Sequence, residues 1–214
     1  MQIIPSLLTD DQLIYTNSLD ELQGACEIVQ IDIADGVFVP EKTLDNNDLT
    51  NLHIGTLQIE LHLMVEHPCT TLTQWHNNTH IRRVYIHAEC ADFNQKTLEL
   101  IREHGWQVGI ALKPQTPISV LKPHIEHIDA VLLLGVEPGG QGRAFQPAVL
   151  EKIKEFKQTY PTLFCALDGG VNETTLPDII TSGVDAVCPG SAVFGNERTP
   201  IENIERLQSI ITKD

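Results

Sequence analysis

A chain of 214 residues, 42% apolar and 20% charged, carries enough apolar length for an ordinary globular core and is not disordered by composition. Its net charge of −15, with only 14 lysines and arginines, excludes the basic face that nucleic acid or an anionic membrane requires, so any bound phosphate must be gripped locally. The five cysteines (Cys26, Cys69, Cys90, Cys165 and Cys188) are odd in number and lack a Cys-x-x-Cys, which points to small core residues and away from disulfides or a thiolate zinc site. The opening Met1-Gln2-Ile3-Ile4-Pro5-Ser6 has no basic, then long apolar, leader pattern, and no later run approaches the ~20 apolar residues of a membrane span, so the cytoplasm is expected.

In chain order, the apolar run Gln2–Leu7 predicts a first strand, and Asp10–Gly24 a first helix capped by Thr9 or Asp10. Strand two is expected over Glu27–Ile33, a short helix after Asp45, strand three over Leu57–Val65 and a helix over Cys69–Asn78. The next units pair Arg83–Ala88 with Asn94–Gly105, Gln107–Leu112 with Ile118–His124, and Ala130–Val136 with Ala148–Tyr160. Leu163–Leu167 with Glu173–Gly183, then Ala186–Pro189 with Pro200–Lys213, complete the series, and Gly24, Gly105 and Gly183 stand just past helix ends. Eight strands alternating with eight helices, undivided by any linker or charge block, predict an α/β chain forming a single (β/α)8 TIM barrel domain over residues 1–214. A doubly wound sheet is the alternative, but no Gly-x-Gly-x-x-Gly follows the first strand.

A barrel does its chemistry at the C-terminal strand ends, and period two selects the side chains that face inward together. Asp32 closes Ile28-Val29-Gln30-Ile31-Asp32-Ile33, and Asp168 closes Phe164-Cys165-Ala166-Leu167-Asp168. Burying a lone carboxylate costs several kcal/mol, so each needs a metal, a substrate or a partner. Gln30 shares a face with Asp32, and Glu60, His62 and Met64 share one on the third strand, so a histidine, a methionine and two carboxylates converge. Asp35, in Ala34-Asp35-Gly36, reads as turn chemistry. Glycine clusters after the last three strands, Gly139-Gly140-Gln141-Gly142-Arg143, Gly169-Gly170 and Gly190-Ser191, let backbone N–H groups approach an anion.

These residues resemble those of the ribulose-phosphate 3-epimerase family. The likeness is carried by Pro5-Ser6-Leu7-Leu8, Ile31-Asp32-Ile33-Ala34-Asp35-Gly36-Val37-Phe38-Val39-Pro40 with Thr43, and Leu61-His62-Leu63-Met64-Val65 with Pro68. It continues through His87 with Glu89, Pro114 with Thr116-Pro117, Val136-Glu137-Pro138-Gly139, Leu167-Asp168-Gly169-Gly170-Val171 and Gly190-Ser191-Ala192-Val193-Phe194. The resemblance implies a barrel of the ribulose-phosphate-binding type that interconverts D-ribulose 5-phosphate and D-xylulose 5-phosphate. It makes Asp32 and Asp168 the acid/base pair and, with His62, ligands of a divalent metal (Zn²⁺, Fe²⁺, Mn²⁺ or Co²⁺). It gives Ser6, His62 and Met64 to the sugar, and Gly169, Gly170, Gly190 and Ser191 to its phosphate, helped by Gly139, Gly140, Gln141 and Gly142. The implied partner is a small phosphorylated ketose, with neither nucleic acid nor membrane, and a homo-oligomer is expected.

Two departures stand out. Gln30 occupies the place of a family metal-binding histidine, and an amide oxygen is a weaker ligand for zinc than imidazole, which moves preference toward harder ions such as Mn²⁺ or Mg²⁺ or leaves the site metal-poor. The loop after the sixth predicted strand replaces the family's Gly-Phe-Gly-Gly-Gln, losing the aromatic and gaining Arg143, which either reaches the phosphate or is a solvated charge. Three readings stay open: an epimerase of pentulose phosphate, the same chemistry on another ketose phosphate such as a hexulose 6-phosphate, or a phosphosugar-binding protein that has lost its metal. Retention of both aspartates, His62 and Met64 favours catalysis.

Overall fold

Every apolar run singled out above forms a strand in the computed structural model, which describes residues 1–44, 54–140 and 142–212. The strands are β1 (Gln2–Ile3), β2 (Ser6–Leu7), β3 (Ile28–Ala34), β4 (Gln58–Met64), β5 (Ile81–His87), β6 (Gln107–Leu112), β7 (Ala130–Leu134), β8 (Phe164–Asp168) and β9 (Ala186–Cys188). All pairs are parallel, in the order β1-β9-β8-β7-β6-β5-β4-β3-β2. β1 and β2 are one strand divided at Ile4-Pro5: β1 pairs with β9 and β2 with β3, so the two edges of the sheet meet on the same stretch of chain and the barrel closes. Backbone bonds span the division, from Ile4 N–H to Val187 O (2.9 Å) on one side and from Gln30 N–H to Pro5 O (2.8 Å) on the other. Pro5 has no N–H, but its carbonyl still serves the ladder.

The helices are α1 (Gln12–Leu22), α2 (Pro68–Trp75), α3 (Gln95–Glu103), α4 (Ala148–Thr159), α5 (Leu176–Thr181), α6 (Ser191–Phe194) and α7 (Pro200–Ile211). Asp11, not Thr9 or Asp10, caps α1, its Oδ1 accepting from Leu13 N–H at 2.8 Å and Ile14 N–H at 3.2 Å. The helix expected over Ile118–His124 is instead two 3-10 segments, Ile118–Leu121 and Ile125–His127, because Pro123 supplies no N–H and breaks the α ladder between them. α5 starts later than expected, since the Asn172 side chain accepts from Thr174 and Thr175 N–H and holds a turn ahead of it. The short helix expected after Asp45 falls outside the described residues. No described helix is long and apolar enough to cross a membrane.

Two apolar layers result. The larger lies between strands and helices and includes Leu19, Ile31, Leu61, Val84, Val131 and Phe156. The smaller fills the barrel with Ile4, Tyr85, Leu132, Ala166 and Cys188 among others. A Cβ on Gly109 would stand 2.2 Å from Tyr85 Cδ1, so the bare backbone of β6 makes room for the ring on β5. Below the ring, Arg83 meets Glu60 at 2.9 Å with both side chains buried, and lies 4.4 Å over the Phe164 ring. With the barrel interior filled by these side chains, a cleft remains at the C-terminal strand ends.

Candidate active site and metal centre

Register delivers the site. Asp32 on β3 stands opposite His62 on β4, while Asp168 is the last residue of β8 on the facing wall. His62 Nδ1 lies 3.0 Å from Asp32 Oδ1 and 3.2 Å from Asp168 Oδ2. Gln30, below them on β3, donates through Nε2 to Asp32 Oδ1 at 2.8 Å and to Asp168 Oδ2 at 2.9 Å. Its Oε1 is buried without a hydrogen-bond partner. One ligand atom each from Asp32, His62 and Asp168 falls within a 4.8 Å spread.

Burial, and then the neighbouring Asp168 charge, pushes the Asp32 carboxyl from 3.8 up to about 6, against the opposing pull of His62 and Gln30. Burial alone would lower His62, but its hydrogen bonds and charge contacts with both carboxylates carry it to about 9. His87, fully buried at the end of β5, is lowered to about 4 by burial, with Glu89 opposing. Burial raises Glu89, yet its bonds with His87 and Thr116, together with the Lys113 N–H, hold it down at about 2.

Above the carboxylates opens a cleft at the C-terminal ends of the strands. Ser6, His62 and Met64 form one wall. Gly169, Gly170, Gly190 and Ser191 form the side where α6 begins, and Gly139, Gly140, Gly142 and Arg143 form the rim. Of the residues expected from sequence only Gln141 falls outside the described residues, and only Gln30 lies beneath the cleft instead of lining it. Gly169 has φ of 93°, and a Cβ there would come within 2.5 Å of Val136 Cγ2, so the turn after β8 depends on glycine.

Arg143 is engaged by a carboxylate on another loop. Its Nη2 pairs with Glu41 Oε1 at 3.0 Å, joining the rim loop to the loop after β3 across the mouth of the cleft. Gly139, at φ 98°, permits this, since a Cβ would stand 2.4 Å from Glu41 Oε2. Asp35 plays the turn role: Oδ1 accepts from Val37 and Phe38 N–H and Oδ2 from Glu66 N–H at 2.8 Å. Burial opposes ionisation of Asp35, but these backbone donors keep its carboxyl below 3.8.

Sequence reasoning assigned no role to Glu41, His87 or Glu89. For His87 a signal was available, because period two on β5 places Arg83, Tyr85 and His87 on the inner face. Glu41 gave none, since its partner is 102 residues away.

A closed parallel barrel with two carboxylates and an imidazole meeting at its C-terminal mouth defines a (β/α)8 barrel with a candidate metal site. The chain belongs to the ribulose-phosphate 3 epimerase family, whose sequence profile matches residues 2–194. Among curated relatives, the ribulose-phosphate 3-epimerase of Bacillus subtilis is 32% identical over 202 residues, covering 91% of this chain and 93% of the relative. That of Helicobacter pylori is 31% identical over 215 residues, covering 98% of each. Membership makes this chain an isomerase of the epimerase type. Solved structures share the fold: 3-hexulose-6-phosphate synthase from Salmonella typhimurium has a TM-score of 0.75 at 14% identity, covering 100% of this chain and 99% of that one. Orotidine 5'-phosphate decarboxylase from Pyrococcus horikoshii has a TM-score of 0.70 at 12% identity, with 99% of each chain covered.

Proposed function

We propose that this chain inverts C3 of a ketose phosphate, converting D-ribulose 5-phosphate to D-xylulose 5-phosphate and back. The observation that carries the reading is the meeting of Asp32 and Asp168, from opposite walls, at the floor of one cleft with His62 between them. Inverting a carbon beside a carbonyl requires a base on one face and an acid on the other. Asp32 and Asp168 take these roles in turn: one carboxylate removes the C3 proton, the other carboxyl returns a proton from the opposite face, and the roles exchange with direction. An unperturbed carboxyl near 4 is a poor proton donor at neutral pH. The rise of Asp32 to about 6 brings its protonated form within reach.

The donor set fits a divalent cation. Two carboxylate oxygens and the imidazole Nδ1 face one point, and the unpartnered Gln30 Oε1 is a further oxygen donor if the amide turns end for end. Asp32, His62 and Asp168 would hold the ion, with Gln30 beside them. Once bound, the cation would supply electrophilic stabilisation of the charge that develops on the substrate carbonyl oxygen. Ser6 donates a hydrogen bond to the sugar, and Met64 lies against the planar face of the deprotonated substrate. Backbone N–H groups at Gly169, Gly170, Gly190 and Ser191 take the phosphate, helped by Gly139, Gly140, Gln141 and Gly142. Arg143, when released from Glu41, adds its charge there. Five free thiols and a phosphorylated substrate suit a cytoplasmic protein, working as one barrel domain in a homo-oligomer.

Purified protein supplied in turn with Mn²⁺, Zn²⁺, Fe²⁺ and Co²⁺ should exchange the C3 hydrogen of ribulose 5-phosphate with solvent deuterium. Asp32→Asn and Asp168→Asn should each lower exchange by about 10²–10⁴-fold. Absence of exchange with every metal overturns the assignment.

A further inference from the structure

A hydrogen-bonded chain runs away from the carboxylates into the barrel wall, and the proposed proton transfers leave it unused. His87 Nε2 lies 2.9 Å from His62 Nε2, and His87 Nδ1 lies 3.2 Å from Glu89 Oε2. The other carboxylate oxygen, Oε1, accepts the Lys113 N–H at 2.9 Å and the Thr116 hydroxyl. Two facing ring nitrogens at that distance need one donor and one acceptor. The far end of the chain decides which is which. A backbone N–H can only donate, so Glu89 Oε1 is committed as an acceptor, and Oε2 of the ionised carboxylate offers His87 only a lone pair. His87 therefore carries its proton on Nδ1 and presents a bare Nε2, and His62 must fill the 2.9 Å contact with an Nε2–H.

The geometry points to His87 and Glu89 as positioning residues that hold a proton on Nε2 of His62, leaving Nδ1, the nitrogen facing Asp32 and Asp168, to bind a divalent cation. Its bearing on metal binding rests on the proposed metal-assisted reading; the protonation pattern itself does not. The arrangement is protected from water: His87 is fully buried, the Phe38 ring packs 4.7 Å from its ring, and Lys113 Nζ lies 4.0 Å above Phe38. Outer partners of this kind fix ring orientation and tautomer, and losing one costs roughly 10–100-fold in metal affinity.

Glu89→Gln separates this role from simple packing. The amide oxygen must stay with the Lys113 N–H, so the NH₂ group takes the place of Oε2 and donates to His87 Nδ1. Each bond in the chain then reverses, and His62 Nε2 becomes the acceptor. Nitrogen-15 NMR of the full metal-free chain at neutral pH should show a protonated His62 Nε2, and the same nitrogen bare in E89Q. The Mn²⁺ dissociation constant should rise by roughly 10–100-fold in E89Q. A bare Nε2 in the unaltered chain overturns the assignment without any variant having to fold. So does an E89Q protein that keeps either the protonated Nε2 or the unaltered Mn²⁺ affinity. Failure of the epimerase reading alone looks different, with no C3 exchange while the nitrogen and Mn²⁺ results stand.

Discussion

Gln30 lends its amide protons to two carboxylates that would otherwise repel each other across the floor of the cleft. That bridge was hidden from the sequence, which showed only that Gln30 shares a face with Asp32. The position of a side chain follows from strand period, but the direction of its amide depends on a partner 138 residues away. Replacing the amide by imidazole gives the position a stronger ligand for borderline metals. Gln30→His should therefore raise Zn²⁺ affinity about tenfold or more and move preference from Mn²⁺ toward Zn²⁺, as read by competition titration with a chelator. Equal affinities in the two proteins would place Gln30 outside the coordination sphere. Asp32, His62 and Asp168 were legible from sequence because carboxylates at the ends of apolar strands have no packing reason to be there. Arg143 was only half legible, since its charge was visible and its engagement by Glu41 was not.

At the scale of elements, all eight strands were readable from apolar runs and their alternation, whereas several helix ends were not. The departures have local causes: Pro123 divides one helix into two 3-10 turns, and the Asn172 turn delays another. The contents of the inner layer were less visible still. Glu60 shares a face with His62 and Met64, yet it sits lower in the barrel as the buried partner of Arg83. Arg83 also donates to the Tyr85 hydroxyl at 3.0 Å and to Gln107 Oε1. Removing one member of such a pair strands a buried charge, whereas replacing both with apolar groups is often neutral. Arg83→Met should cost about 3–5 kcal/mol in denaturant unfolding, and Glu60→Leu/Arg83→Met should recover most of the loss. Equal destabilisation of the single and double variants would show that packing, not the orphaned carboxylate, sets the cost.

For the molecule as a whole, acid should act partly through Glu89. Its carboxyl is held at about 2 when folded against an ordinary 4.5, so the folded state favours the ionised form. The stabilisation is therefore complete above 4.5 and is lost as pH falls through about 2. Discounted for partial exposure, it amounts to roughly 2 kcal/mol. Urea unfolding followed from pH 6 to pH 3 should show a smaller loss of stability in Glu89→Gln than in the unaltered chain; parallel curves would remove Glu89 from the account.

The division of the first strand at Ile4-Pro5 has a consequence for how the chain is made. Its two halves are the hinge pin of the barrel, and one of them pairs with β9, the last of the described strands in chain order. Until Ala186–Cys188 leaves the ribosome, the nascent sheet carries an open edge at β8 and an unmatched β1, the kind of exposed template that invites association between chains. Closure is then a late, long-range event that seals both edges in a single step, so the nascent chain is most exposed to misassembly just before β9 emerges.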